Sequence, residues 1–286
     1  MARMNRNMIK TDGEAYYHVV SRIANSAFLL RDAERKRHLL DMLRRAAEFS
    51  GVDVATYAIM DNHVHICVRV SKRKDVDEGE VLRRVGVLYG KRRRESLEQE
   101  FDALRAAGRT DEIEAVLGRL RARMGDLSEF MKTFKQRVSQ WYNGKFGHEG
   151  TLWGGRFKSV LVESGEYLRA VVRYIHGNPV RARIVRSAEE YEWSALGAAA
   201  RGDAFAMKGL ALVGMRDVKG RSPDEGVARD RRLSNGVVVG SRRFVERLEA
   251  WPAVGRRVAA SRILDFSHGG VGFFAARGQR SAPAAA

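Results

Sequence analysis

The chain has 286 residues, including 41 arginines and 11 lysines, and its formal charge at pH 7 is +17. Because 44% of the residues are hydrophobic, the charge does not indicate a disordered chain, which combines high charge with low hydrophobicity. The guanidinium of arginine binds phosphate through two hydrogen bonds, so the composition favours a polyanionic partner such as nucleic acid, although a basic enzyme of another kind would share it.

Cysteine content and hydropathy argue against a secreted protein and against a membrane protein. The single cysteine, Cys67, has no partner within the chain for a disulfide, so nothing indicates an oxidising compartment. No apolar run approaches the length of a membrane span, and the first residues lack the apolar core of a secretory signal. We therefore expect a cytoplasmic protein that does not enter the membrane.

The first 70 residues predict the order strand, helix, strand, strand. Residues 15–22, AYYHVVSR, have the aromatic and β-branched composition of a strand. Asp32 is placed to cap a helix that runs until Ser50 and the following glycine. Residues 52–60 form the second predicted strand, and residues 63–70, HVHICVRV, form the third after a short turn.

The rest of the first 200 residues predicts an insert followed by helix, strand and helix. Residues 72–128 alternate acidic and basic runs with sparse apolar residues, which indicates a helical, solvated insert. An amphipathic helix is predicted over 127–146 and a fourth strand over 156–162. A last helix begins after Gly165 and is expected to stop at Pro179.

We assign residues 1–200 to one domain and residues 201–286 to a basic, Gly- and Arg-rich extension with a disordered tail. The extension carries the pairs Arg231-Arg232 and Arg242-Arg243. It is either a second DNA-binding element or a packing appendage.

The third strand places two histidines on one face. Its apolar residues alternate with His63, His65 and Cys67, so the histidines point away from the predicted core. They stand roughly 7 Å apart along the strand and could converge on one metal ion. A structural or solvated pair of histidines would show the same spacing, so both interpretations stay open.

The last helix brings two polar residues to one side. Tyr174 and Asn178 are four positions apart, roughly 100° around the helix from its apolar stripe. The Asn178 carbonyl could join two imidazoles on a hard cation. Alternatively, Tyr174 borders the core and Asn178 caps the helix before the proline.

Four stretches resemble one family. They are YHVVSR (17–22), YAIMDNHVHICVRV (57–70), FKQRVSQWYNGKFGHEGTLWGGRFKSVLVE (134–163) and YLRAVVRYIHGNPVRARIV (167–185). In this order and spacing they resemble the HUH-type single-tyrosine DNA transposases, and among these the REP-associated tyrosine transposases of the IS200-like kind. The resemblance covers roughly residues 14–200.

The resemblance implies an α+β fold, a ferredoxin-like (RRM-like) antiparallel sheet with helices on one face. It implies that His63, His65 and Asn178 bind a divalent ion, Mg²⁺ or Mn²⁺, and that Tyr174 is the nucleophile. The expected reaction is cleavage and rejoining of single-stranded DNA flanked by hairpins, through a 5′-phosphotyrosine intermediate. Relatives act as monomers or homodimers, so either state is expected.

Several assignments stay open. Arg156, Lys158 and Arg173 are candidate phosphate contacts, or ordinary solvated charges. Tyr142 and Tyr167 compete with Tyr174 for the role of nucleophile. A non-catalytic RRM-like module that binds nucleic-acid hairpins is the main alternative function. A zinc-dependent phosphoesterase is a third, but it lacks the carboxylates that two-metal sites need.

Overall fold

The computed structural model describes residues 13–71, 75–215, 238–249, 262–265 and 272–275. The strands are β1 (Ala15–Arg22), β2 (Asp53–Ile59), β3 (His63–Val70), β4 (Lys158–Val162), β5 (Val238–Val239), β6 (Arg262–Asp265) and β7 (Gly272–Ala275). The helices are α1 (Ala33–Ser50), α2 (Glu78–Tyr89), α3 (Lys91–Ala106), α4 (Thr110–Arg121), α5 (Leu127–Phe146), α6 (Glu166–His176), α7 (Asn178–Arg181), α8 (Ala195–Ala200), α9 (Ala204–Leu212) and α10 (Arg242–Glu249). The predicted disordered tail and the pair Arg231-Arg232 lie outside the described residues.

The strands form one sheet in the order β2-β3-β1-β4-β5-β6-β7. Its first four members have the ferredoxin-like order, and β1 pairs with β4 antiparallel, with His18 opposite Val160. This confirms the predicted α+β class. The sheet is mixed rather than purely antiparallel, because β5 runs parallel to β4 and β6 parallel to β5. These strands have only two to four residues, too short for a pattern of alternation to reveal them.

Strand β5 is fixed to β4 by more than its ladder. The Glu163 amide donates to the Val239 carbonyl at 2.8 Å, and the Ser241 amide donates to the Glu163 carboxylate at 2.6 Å. The Ser241 hydroxyl reaches the same carboxylate at 3.2 Å. Val238 and Val239 are fully buried. Strand β5, within the C-terminal extension, is therefore part of the sheet's core.

The chain divides into two compact units. The sheet unit comprises residues 1–31, 54–69 and 153–286, and the helical unit comprises residues 32–53 and 70–152. No helix in the described part of the chain is both long and apolar enough to cross a membrane.

The helical unit contains α1 to α5. As predicted, Asp32 caps α1 by accepting from the Arg35 amide at 2.8 Å, and Gly51 ends the helix with a left-handed φ of 62°. The predicted charged insert is helical, but it is more than a solvated hairpin. Most of its large apolar residues pack into one core, which includes Val85, Leu97, Phe101 and Leu117.

Candidate active site

Three histidines form a row on one face of the sheet unit. The His63 Nε2 atom lies 3.1 Å from His65 Nε2, so the two predicted histidines do converge. On the neighbouring strand β1, His18 Nε2 lies 2.9 Å from His65 Nδ1. His18 was not among the sequence candidates. It stands in the YHVVSR stretch, but nothing local in that stretch shows that β1 lies beside β3.

The histidine face is buried, contrary to the expectation that it points away from the core. His18 is 0% exposed, His65 3% and Cys67 0%. Helix α6 contributes Tyr174 to this face, with its ring centroid 5.8 Å from that of His65 and 5.9 Å from that of His18. The alternation of β3 therefore separates two covered faces, one apolar and one carrying imidazoles.

Hydrogen bonding fixes the proton on His63. Its Nδ1 atom lies 2.6 Å from the Asn62 amide oxygen, and the Asn62 amide nitrogen donates to the Ser26 carbonyl at 3.1 Å. An amide oxygen only accepts, so His63 carries its proton on Nδ1. The lone pair of His63 Nε2 then faces His65.

Burial keeps the two predicted ligands neutral. It lowers the pKa of His63 to about 4, an effect that Arg22 strengthens and Asp61 opposes. It also lowers the pKa of His65 well below its usual range, with His18 and His63 adding to the shift. Neutral imidazole is the form that binds metal ions, so both side chains are competent ligands at physiological pH.

The two Nε2 atoms fit a single divalent cation. His18 cannot be a third ligand in this arrangement, because it meets the opposite nitrogen of His65. Within the described residues, no group of three His, Cys, Asp or Glu side chains is placed to hold a metal ion. A cation bound by these two nitrogens would therefore complete its coordination with oxygen ligands, such as an amide carbonyl or a substrate phosphate.

Asn178 is engaged at the end of α6. Its amide nitrogen donates to the carbonyls of Tyr174 at 3.0 Å and Ile175 at 3.3 Å, as in the capping interpretation. None of its hydrogen bonds in the structure reaches a histidine. Because capping uses only the nitrogen, the Asn178 carbonyl oxygen keeps its capacity as a ligand.

A second short helix follows α6. Helix α6 ends at His176, before Pro179, as predicted, and the proline then occupies the first turn of α7, where its missing N–H costs nothing. This turn returns Arg181 to α6, where it donates from Nη2 to the Tyr174 carbonyl at 2.9 Å. The Arg181 guanidinium carbon lies 4.5 Å from the centroid of the Tyr174 ring. Sequence reasoning missed Arg181, since the contact depends on this turn.

The predicted phosphate contacts occupy different places. Lys158 begins β4 opposite Val20, so it shares the sheet face of His18 and is exposed. Arg156 is also exposed but precedes the strand, which begins two residues later than predicted. Arg173 is half-buried on α6 beside Tyr174.

One further basic residue belongs to this face. Arg22 is exposed at the end of β1, two alternations beyond His18, and its charge contributes to lowering the pKa of both His63 and His65. Like His18, it lies in the YHVVSR stretch and was not among the candidates.

The competing tyrosines lie in other surroundings. Tyr142 belongs to the helical unit, where its ring packs on Phe146 at 4.8 Å and on His148 at 5.6 Å. Tyr167 is half-buried two turns before Tyr174 on α6. Of the three, Tyr174 is the one whose ring contacts His18 and His65.

Comparison with known families bears on the strands that carry the histidines. Residues 12–79 match the model of the family described as "Transposase IS200 like". This segment is similar in sequence to that family. It includes His18, Asn62, His63 and His65 and ends before Tyr174, and the match agrees with the family that the sequence resembles. No curated protein matches the chain.

Two solved structures are similar to this chain. One is a REP-associated tyrosine transposase bound to a REP hairpin, with 16% identity, a TM-score of 0.40 and coverage of 78% of this chain and 96% of that chain. The other, from Deinococcus radiodurans R1, is provisionally described as a transposase, with 15% identity, a TM-score of 0.32 and coverage of 60% of this chain and 93% of that chain.

Proposed function

We propose that the protein is a metal-dependent transposase and endonuclease of single-stranded DNA flanked by hairpins, with Tyr174 as its nucleophile. The observation that carries the proposal is the placement of the Tyr174 ring 5.8 Å from that of His65, beside the row of three imidazoles. The IS200-like sequence of residues 12–79 supports the same reaction class.

His63, His65 and the Asn178 carbonyl oxygen would hold Mg²⁺ or Mn²⁺. When bound, such an ion polarises the scissile phosphate and neutralises the charge that develops on it. The chain's own nucleophile acts at phosphorus: the Tyr174 hydroxyl oxygen forms a bond to phosphorus, and the bond from phosphorus to the 3′-oxygen breaks. The phenol proton passes to solvent, and the released 3′-oxygen takes up a proton.

The product is a 5′-phosphotyrosine link and a free 3′-hydroxyl. A phenol, with an ordinary pKa near 10, leaves more readily than an alkoxide, so a 3′-hydroxyl can reverse the link and rejoin DNA. Lys158 and Arg22, exposed on the histidine face, are suited to hold the phosphates of the strand, with Arg156 and Arg173 as further contacts.

A non-catalytic hairpin-binding module is the second candidate. It is favoured by the burial of Tyr174, which is 5% exposed, and by the use of Asn178 as a helix cap. In that case the basic residues would bind DNA without any covalent step.

Denaturing electrophoresis separates the two. The protein is incubated with labelled single-stranded hairpins taken from the DNA flanking its own gene, with Mg²⁺ or Mn²⁺. We expect a covalent adduct with wild type and with the matched control Tyr167→Phe, and none with Tyr174→Phe or His63→Ala. Native-gel binding of these hairpins without any adduct in wild type would favour the module.

A further inference from the structure

We propose that Arg181 is a catalytic residue, which donates hydrogen bonds to the Tyr174 hydroxyl and to the scissile phosphate during the attack. This inference rests on the proposed function and adds to it a group that activates the nucleophile. It concerns a residue outside the segment that matches the family model.

The Arg181 guanidinium carries more N–H donors than its contact with the Tyr174 carbonyl uses. One donor of Nη2 is used by the Tyr174 carbonyl at 2.9 Å, and the guanidinium carbon lies 4.5 Å from the centre of the tyrosine ring. Tyr174 also acts on the charge of this side chain, since it raises the pKa of Arg181 against the effect of burial. A guanidinium carries five N–H donors in a rigid fork, so it can serve the backbone, the phenol oxygen and a phosphate together.

The backbone provides space for this guanidinium. Gly177, between α6 and α7, has an ordinary helical φ of −74°. Any residue can adopt this backbone conformation, so the conformation does not explain the glycine. A Cβ atom at Gly177 would lie 2.8 Å from Arg181 Nη1. The glycine therefore permits a close approach that a larger residue would obstruct.

The electrostatic surroundings favour action on an anion. Arg181 is half-buried, and burial lowers its pKa, while its charge interaction and hydrogen bond with Tyr174 raise it. A partly desolvated cation beside the nucleophile is worth far more against developing negative charge than one in water.

The step balances without further reagents. As the bond from the Tyr174 oxygen to phosphorus forms, the bond from phosphorus to the 3′-oxygen breaks, and the phenol proton is lost to solvent while the 3′-oxygen gains one. Arg181 stays protonated throughout. It stabilises the phenol oxygen as its proton leaves and a non-bridging phosphate oxygen as charge accumulates there.

The test measures single-turnover cleavage of a saturating hairpin substrate by the full chain with Mg²⁺, together with hairpin affinity. We expect Arg181→Gln to slow cleavage by about 10²- to 10³-fold, the usual loss for one transition-state donor, with little change in Kd. Arg181→Lys should recover only part of the rate, because an ammonium lacks the fork. Arg186→Gln, which removes an exposed arginine on the following segment, is the matched control and should cleave like wild type.

Two further arms address folding and the phosphate contact. Gly177→Ala retains the guanidinium but displaces it, so we expect slower cleavage with a melting temperature near that of wild type. A methylphosphonate at the scissile position removes the negative charge, and the ratio of wild-type to Arg181→Gln rates should then fall toward one.

Three results would overturn the inference. The first is wild-type cleavage rates in both Arg181→Gln and Gly177→Ala. The second is an unchanged rate ratio on the methylphosphonate. A wild-type protein that forms no adduct with any hairpin would contradict the proposed function itself, and this role of Arg181 with it.

Discussion

His18 Nε2 and His65 Nδ1 lie 2.9 Å apart across neighbouring strands, with both side chains buried. This contact holds the ring of His65 so that its other nitrogen, Nε2, faces His63 Nε2. Groups that bond the second nitrogen of a ligating histidine set its tautomer and orientation. We therefore assign His18 a positioning role.

Replacement of His18 by leucine should weaken Mn²⁺ binding by about 10- to 100-fold, because His65 loses the partner that orients it. Titration calorimetry of the DNA-free protein with Mn²⁺ measures this directly. Tyr16→Phe, which removes a polar atom from the same face of β1, is the control and should leave the affinity unchanged. Equal affinity in wild type and His18→Leu would show that His18 only fills space.

Replacement of Lys158 by glutamine should weaken hairpin binding and reduce the slope of log K against log salt by roughly one, as for the loss of one phosphate contact. The exposed side chain lies on the face of His18. Fluorescence anisotropy at several salt concentrations gives the slope. Lys208→Gln, an exposed lysine on α9, is the matched control, and a slope that falls equally in both variants would argue against a specific contact.

The sequence predicted the elements better than it predicted their surroundings. The cap at Asp32, the shared strand face of His63 and His65 and the succession of the first four strands along the chain depend on local signals, and the structure reproduces them. The burial of His65 was missed because alternation distinguishes the two faces of a strand but does not reveal which of them a distant helix will cover.

Long-range contacts account for the other omissions. His18 becomes relevant only when β1 lies beside β3, which local sequence patterns do not determine. Arg181 becomes relevant only because a second short helix, α7, follows the predicted stop and returns its side chain to α6.

A buried pair links β2 to helix α6. His176 Nε2 lies 2.7 Å from the Thr56 hydroxyl, and burial lowers the pKa of His176 to about 3. Thr56→Val should destabilise the fold by about 1–3 kcal/mol, because it leaves a buried imidazole nitrogen without its partner. Urea unfolding measures this.

The double variant Thr56→Val with His176→Leu provides the control for that pair. Removing both polar partners should recover part of the loss seen in Thr56→Val alone. Strictly additive losses in the double-mutant cycle would show that the hydrogen bond contributes no coupling.

The helical unit should show a pH dependence that arises from His38. Its ring stacks on that of Trp141, with the ring centroids 3.8 Å apart. Burial lowers the pKa of His38; Asp41 opposes this shift, and Arg45 and Arg137 add to it. The unfolded chain therefore binds a proton at His38 more readily than the folded one. Stability is greatest above the ordinary pKa of 6.5 and falls as the pH is lowered below it.

The difference in unfolding free energy between wild type and His38→Gln isolates this contribution from that of the other histidines. Wild type should lose more stability than the variant as the pH falls below 6.5. Parallel curves for the two proteins would exclude His38 as a source of the pH dependence.

The pairing of β5 with β4 has a consequence for the protein's behaviour in solution. Without a neighbour, Leu161 and Val162 would present unpaired backbone groups at the margin of a sheet, and such margins recruit strands from other molecules. The two-residue strand Val238–Val239, locked in place through Glu163, occupies that position. The extension thus covers this edge of β4, and a truncation made to test its affinity for DNA would also expose the unpaired backbone groups of Leu161 and Val162.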